Sequence, residues 1–192
     1  TTHVGLLVNR LKATGHSIVA LHEPGGTMLG DYLREWLKST DRPLTYEAEL
    51  LLFTAARAEL VRTVIQPALK RGTTVVLDRF VDSTTVYQGF GRRLPMAQVR
   101  AANQLASGGL TPDLTILLEG TLEDTLRRAD ERADLGDRRF EGEEISFHQR
   151  VRSGFRSLAK RNPKRWEIID TSPPLEHVHE QIWNRVQSLM AL

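Results

Sequence analysis

Several short stretches of this 192-residue chain carry side chains suited to a phosphorylated, ring-bearing ligand. Asp78-Arg79-Phe80 follows the β-branched and aliphatic run 73–77. In open parallel sheets ligands collect at the carboxyl ends of the strands. An aspartate there can hold Mg²⁺ through water, because that ion gives up its hydration shell reluctantly. An arginine beside it can grip a phosphate through two parallel N–H bonds. The plain alternative is an exposed ion pair at a strand end. Glu23-Pro24-Gly25-Gly26-Thr27 follows the run 17–21, and its two glycines let the backbone come close to a ligand. An ordinary Pro-Gly turn has the same composition. Phe53 and Arg57 are four residues apart in a helical pattern and so share a face. They offer a ring to stack on a base and a guanidinium to donate to a carbonyl oxygen; a core phenylalanine beside a solvated arginine is the competing reading. Gln88 supplies both a donor and an acceptor, as the edge of a pyrimidine requires. Arg127, Arg128, Arg132, Arg138 and Arg139 lie in or beside the charged segment 129–144. Arginines delivered by a closing flap can stabilise the charge that spreads over a moving phosphoryl group, although each one singly reads as solvated surface charge.

The elements that must position these residues follow from four short aliphatic runs, 17–21, 73–77, 114–118 and 167–169. None alternates polar with apolar, so they read as strands covered on both faces, as in a parallel sheet. Helical patterns long enough for crossovers lie between them, which predicts an α/β fold. A first helix is expected from Thr2 to Ala13, stopping near Gly15. A further strand is expected ahead of it. Residues 45–71 read as one long helix, capped by Thr45, ended by Gly72 and weakened near its end by Pro67. Ala48, Leu52, Ala55 and Ala58 form one stripe on it, and Phe53, Arg57, Leu60 and Val64 a second. The segment 129–144, with Gly136 and Gly142, reads as a surface flap.

Composition narrows the chemistry further. The length fits a single domain, residues 1–192, with 40% hydrophobic residues to build a core. There is no cysteine, so disulfides, thiolate metal sites and cysteine nucleophiles are excluded. The net charge is +2 with the arginines spread along the chain, which does not make the dense basic stripe of a nucleic-acid binder. No apolar stretch approaches the ~18 residues of a membrane helix. His177 and His179 are two apart and do not share a helix face, so a metal site there is not expected.

Taken together and in order, the motifs resemble the thymidylate kinase family of bacterial type. They are Glu-Pro-Gly-Gly-Thr at 23–27, Glu-Leu-Leu-Leu-Phe at 49–53 with Arg57, and Asp-Arg-Phe at 78–80. Asp-Ser-Thr at 82–84 continues into Tyr-Gln-Gly at 87–89, then Gly-Gly-Leu-Thr-Pro-Asp-Leu-Thr at 108–115, Arg-Phe-Glu at 139–141 and Phe-His at 147–148. The resemblance implies a P-loop kinase fold: a parallel five-stranded sheet flanked by helices, its first strand not represented here, with a lid at about 129–144. It implies that Phe53 stacks on thymine, Arg57 contacts its carbonyl, and Thr84 and Gln88 read the pyrimidine edge. Arg79 and Arg34 would hold the dTMP phosphate, Glu23 would lie near the sugar and phosphate, and Asp78 would help place Mg²⁺. Thr1-Thr2-His3 looks like the tail of Gly-x-x-x-x-Gly-Lys-[Ser/Thr], which makes Thr1 and Thr2 ATP-binding and Thr1 a Mg²⁺ ligand. Arg132 and Arg139 are the lid residues chosen as charge stabilisers, with Arg128 a further candidate.

Two positions depart from the family pattern. His22 stands where an arginine is common, and the lid reads Asp137-Arg138-Arg139-Phe140-Glu141, one residue longer than Asp-Arg-Phe-Glu. The implied reaction moves the γ-phosphoryl of ATP to dTMP, giving dTDP and ADP, in a cytoplasmic homodimer with no nucleic-acid or membrane partner. A sister kinase for another monophosphate, or a non-catalytic nucleotide-binding module, are the alternatives.

Overall fold

The computed structural model describes residues 2–38, 43–121, 140 and 142–190. Thr1 and the arginines at 127, 128, 132, 138 and 139 lie outside the described residues, as does most of the expected lid.

Helix α1 (Thr2–Ala13) has the predicted bounds and ends at Gly15, whose φ is 85°. Strands β1 (Ile18–His22) and β2 (Thr74–Asp78) form one parallel pair, and β3 (Thr115–Glu119) and β4 (Trp166–Asp170) form another. The apolar runs locate all four strands, but the first three begin and end one residue later than those runs. The ladder sets the ends: His22 lies opposite Asp78, and the Glu23 N–H still donates to the Asp78 carbonyl at 3.0 Å. Polar residues at the carboxyl ends of β1 and β2 are therefore held as rigidly as the strands themselves.

Helix α2 (Met28–Lys38) follows β1, and α3 (Tyr46–Leu60) lies beside it. The Thr45 side chain accepts from the Ala48 N–H at 3.2 Å, capping α3 as expected. The single long helix expected over 45–71 is continuous but not uniform. It widens into a π-helical turn at Val61–Ile65 before α4 (Gln66–Lys70). Pro67 has no N–H to give and its ring crowds the carbonyl four residues back, so the shift to i→i−5 bonding precedes it. The stripe of Ala48, Leu52, Ala55 and Ala58 does not form the buried face: Ala55 is exposed and the other three are half-buried. Leu50, Thr54, Ala56, Arg57 and Leu60 are buried instead. The polar Arg57 and Thr54 are buried because each finds hydrogen-bond partners.

After β2 a short helix, α5 (Val81–Thr84), opens into a π-helical stretch, Thr85–Gly91. Helix α6 (Met96–Ser107) stops at Gly108, which takes the left-handed conformation at φ 61°. Helices α7 (Ile145–Arg161) and α8 (Leu175–Met190) complete the described chain. Leu7 and Leu11 of α1 pack with Ile169 of β4 and with Val178, Ile182, Trp183 and Val186 of α8. Leu60, Val61, Ile65 and Phe80 form a second core beneath β1 and β2. Among the described residues no helix is long and apolar enough to cross a membrane.

Candidate active site

The two strand ends and the three helical segments packed over them border a partly open pocket lined by Glu23, Phe53, Arg57, Arg79, Ser83, Thr84, Tyr87, Gln88 and Phe140. Six residues singled out from the sequence thus meet at one place: Glu23 from the end of β1, Phe53 and Arg57 from α3, Arg79 after β2, and Thr84 and Gln88 beyond it. Arg34 and Asp78 are not among the lining residues. Arg34 instead donates to the Pro24 carbonyl at 3.0 Å, which ties α2 to the Glu-Pro-Gly-Gly loop. Asp78 is the half-buried last residue of β2. Thr2, the first residue of α1, is exposed.

Arg57 is the most committed of these side chains, with only 1% of its surface exposed. Its Nε and Nη2 donate to Glu23 Oε2 at 2.8 and 2.6 Å, Nη2 also to Thr84 Oγ1 at 3.0 Å, and Nη1 to Asn103 Oδ1 at 2.7 Å. Four of its five N–H donors are used, leaving one Nη1–H. The guanidinium also lies 5.4 Å over the ring of Phe80. Asn103 is in turn fixed by donating to the Val81 carbonyl and Thr85 Oγ1. Sequence reasoning passed over Asn103, although a polar residue on the buried face of α6 is the kind of signal that marks such a partner.

Glu23 Oε2 carries both Arg57 bonds, while Glu23 Oε1 is buried with no hydrogen-bond partner among the described residues. An unsatisfied buried acceptor costs about 1–3 kcal/mol, so this oxygen is poised for a donor that a ligand would bring. Burial pushes the Glu23 carboxyl above its ordinary value, against the opposing pull of Arg57. The sign of the linkage follows. An acid with a raised folded-state pKa binds more protons when folded, so its contribution to stability is greatest in acid and is lost as pH rises through the folded pKa. Wild-type Tm minus that of Glu23→Gln should therefore decline from about pH 4.5 upward. Thermal melts across that range check this, and parallel curves would contradict it.

Arg79 adopts φ 72°, a left-handed conformation that costs a side-chain-bearing residue about 1–2 kcal/mol. Such strain gathers at functional sites, where it aims a side chain. The guanidinium sits 5.1 Å from the centre of the Tyr87 ring, at the exposed mouth of the cavity. Across the cavity the rings of Phe53 and Phe140 are nearly parallel, 22° apart, with centroids 6.2 Å from each other. In the sequence Phe140 stands only as part of the Arg-Phe-Glu motif at 139–141, with no role of its own, because it sits in a charged segment with no periodic pattern around it. Gly25, at φ 137°, brings the loop close enough that a Cβ there would lie 2.5 Å from His22 Nε2.

The family model for thymidylate kinase matches residues 1–182. The chain belongs to the thymidylate kinase family. A thymidylate kinase of Thermomicrobium roseum is 46% identical over 190 residues, covering 99% of this chain and 90% of that one. A thymidylate kinase of Synechococcus sp. is 48% identical over 188 residues, covering 97% and 89%. In three dimensions the chain resembles the crystal structure of thymidylate kinase from Ehrlichia chaffeensis at a TM-score of 0.78 and 30% identity, over 97% of this chain and 90% of that one. The fold is thus of the P-loop kinase type, with helices around parallel strands. The family phosphorylates dTMP at the expense of ATP, and this chain is a dTMP kinase by that membership.

Proposed function

We propose that the cavity holds dTMP with its pyrimidine toward Gln88 and Arg57 and its phosphate toward Arg79, ready to receive the γ-phosphoryl of ATP. The observation that carries this reading is the convergence of Glu23, Phe53, Arg57, Arg79, Thr84 and Gln88 on one space. Depth supports the orientation. Gln88 and Arg57 are each 1% exposed, which suits the neutral base, while Arg79 stands exposed at the mouth, which suits a charged phosphate. Phe53 offers its face to the pyrimidine. The unused Arg57 N–H and the Thr84 hydroxyl offer donors to its carbonyls. Glu23 Oε1 offers an acceptor to the sugar. Arg34, anchored to the same loop, adds positive charge on the phosphate side.

Phosphoryl transfer forms no covalent enzyme intermediate, so the chain's work is positioning and charge stabilisation. Arg79 offsets the repulsion between the acceptor phosphate and the incoming group. Arg132 and Arg139, with Arg128, would stabilise the migrating charge from the lid at about 129–144, and Thr1 and Thr2 would bind ATP. Asp78 fits Mg²⁺: it is a single carboxylate at a strand end, and that ion is held by one or two carboxylates plus substrate phosphates while keeping several waters. Asp78 and the Thr1 hydroxyl would hold it, and it would supply neutralisation of the donor phosphates. A coupled assay over dTMP, dUMP and dCMP tests the reading; a preference for dUMP or dCMP would refute it.

Two wider features belong to the same proposal. The sheet is read as five-stranded, with four of its strands in the single domain of residues 1–192. Val75, Val76, Leu77, Ile116 and Leu117 are only half-buried in two separate strand pairs, whereas a parallel sheet covered on both faces buries such residues; a fifth strand joining the pairs would cover them. The protein is also read as a cytoplasmic homodimer. Met28, Tyr32 and Trp36 are exposed on one face of α2, and Leu51 of α3 and Leu105 of α6 are exposed on the helices packed successively beside it. Exposed apolar side chains on three successively packed helices suit a second copy of the chain. Tyr32→Glu with Trp36→Glu should halve the mass seen by light scattering, and an unchanged mass would remove this surface from the interface.

A further inference from the structure

Deep in the site, a second buried polar network fixes the direction in which Gln88 points its amide. Gln88 Nε2 donates to Glu49 Oε1 at 3.0 Å. The same carboxylate is gripped on both oxygens by Arg92, whose Nε donates to Oε1 and Nη2 to Oε2, each at 3.1 Å. Arg92 is itself clamped by a further ion pair to Glu143 and by the rings of Tyr46, Phe140 and Phe147, whose centroids lie 4.6, 5.3 and 5.0 Å from its guanidinium carbon. Glu49 is 1% exposed, as Gln88 is.

An amide can ordinarily rotate by half a turn, exchanging its carbonyl and its NH₂ at little cost. Here it cannot. A carboxylate paired with an arginine only accepts hydrogen bonds, and that arginine stays protonated. Turning the Gln88 carbonyl toward Glu49 would set two acceptors against each other in a buried place, at the full cost of unsatisfied polar groups. The NH₂ is therefore held toward Glu49, and the carbonyl oxygen and second N–H, which have no partner among the described residues, are left for the cavity that Gln88 lines.

We propose that Glu49, backed by Arg92, is a positioning residue that sets the polarity of Gln88 and with it the choice among pyrimidines. A fixed carbonyl oxygen accepts from a ring N–H, and the neighbouring N–H donates to an exocyclic carbonyl. Thymine and uracil present that donor–acceptor pair. Cytosine presents the reverse, a bare ring nitrogen beside an amino group, and meets like against like. The inference rests on the reading that Gln88 faces the base of the acceptor nucleotide.

Calorimetric Kd values for dTMP and dCMP test it in wild type, Glu49→Gln, Gln88→Met and the double variant. The amide that Glu49→Gln introduces can present either its oxygen or its NH₂ to Gln88, so the preference for dTMP over dCMP should fall by about tenfold or more. Because Glu49 acts through Gln88, adding Glu49→Gln to Gln88→Met should change neither Kd further. A preference kept within about twofold in Glu49→Gln, or an equal additional loss on the Gln88→Met background, overturns the positioning role. Wild-type dTMP affinity in Gln88→Met overturns instead the reading of Gln88 on which it rests. Should Glu49→Gln not fold, Glu49→Gln with Arg92→Met and Glu143→Gln removes all three linked charges together and carries the same comparison.

Discussion

Arg79→Ala and Arg79→Gly should both lose about 100-fold in kcat/KM for dTMP, while the glycine variant is more stable than the alanine variant by about 1 kcal/mol. The first expectation follows from the charged, two-pronged hydrogen bonding that a guanidinium gives a phosphate. The second follows from φ 72° at this position, which glycine adopts without strain and alanine does not. Reading stability and turnover on the same pair separates the two functions of the residue. Backbone strain holds the side chain at the cavity mouth, and the side chain holds the phosphate. Near-normal kcat/KM in either variant refutes the phosphate role, and equal melting temperatures refute the account of the strain.

Arg57→Met should lower stability by about 3–5 kcal/mol, because it leaves the Glu23 carboxylate buried without its counter-charge. For a chain of this length that is a fall in Tm of roughly 10–15 °C. Combining it with Glu23→Met should recover much of the loss, since no lone charge then remains in the interior. Affinity for dTMP should not return with stability, because the Arg57 donor to the base and the Glu23 acceptor to the sugar are both gone. Chemical denaturation and dTMP titration on the single and double variants check this. Recovery of dTMP affinity in the double variant would mean that the Arg57–Glu23 pair is scaffolding alone.

What the sequence made legible was local. Each strand announced itself as an aliphatic run, and the motifs at 23–27 and 78–80 lay where strand order places them, at carboxyl ends. Even the displaced strand ends have a local cause in the ladder between His22 and Asp78. What stayed hidden was pairing across the fold. Arg57 looks like a solvent-facing charge until Glu23, Thr84 and Asn103 arrive from three other segments. Glu49 and Arg92, far apart in sequence, give no sign of each other, yet they form a buried ion pair with 2% and 5% of their side chains exposed. The π-helical turn at 61–65 was foreshadowed only by Pro67, as a weakness rather than a widening. Arg34, assigned to the phosphate by resemblance, is engaged at the Pro24 carbonyl, a contact fixed by how α2 leaves its loop.

A crystal structure with dTMP bound is the most direct test of where the nucleotide sits. The expected result is the pyrimidine against the face of Phe53, its edge on Gln88 and Arg57, and its phosphate on Arg79. Nucleotide density outside this cavity, or a phosphate buried beside Gln88 with the base at Arg79, would contradict it.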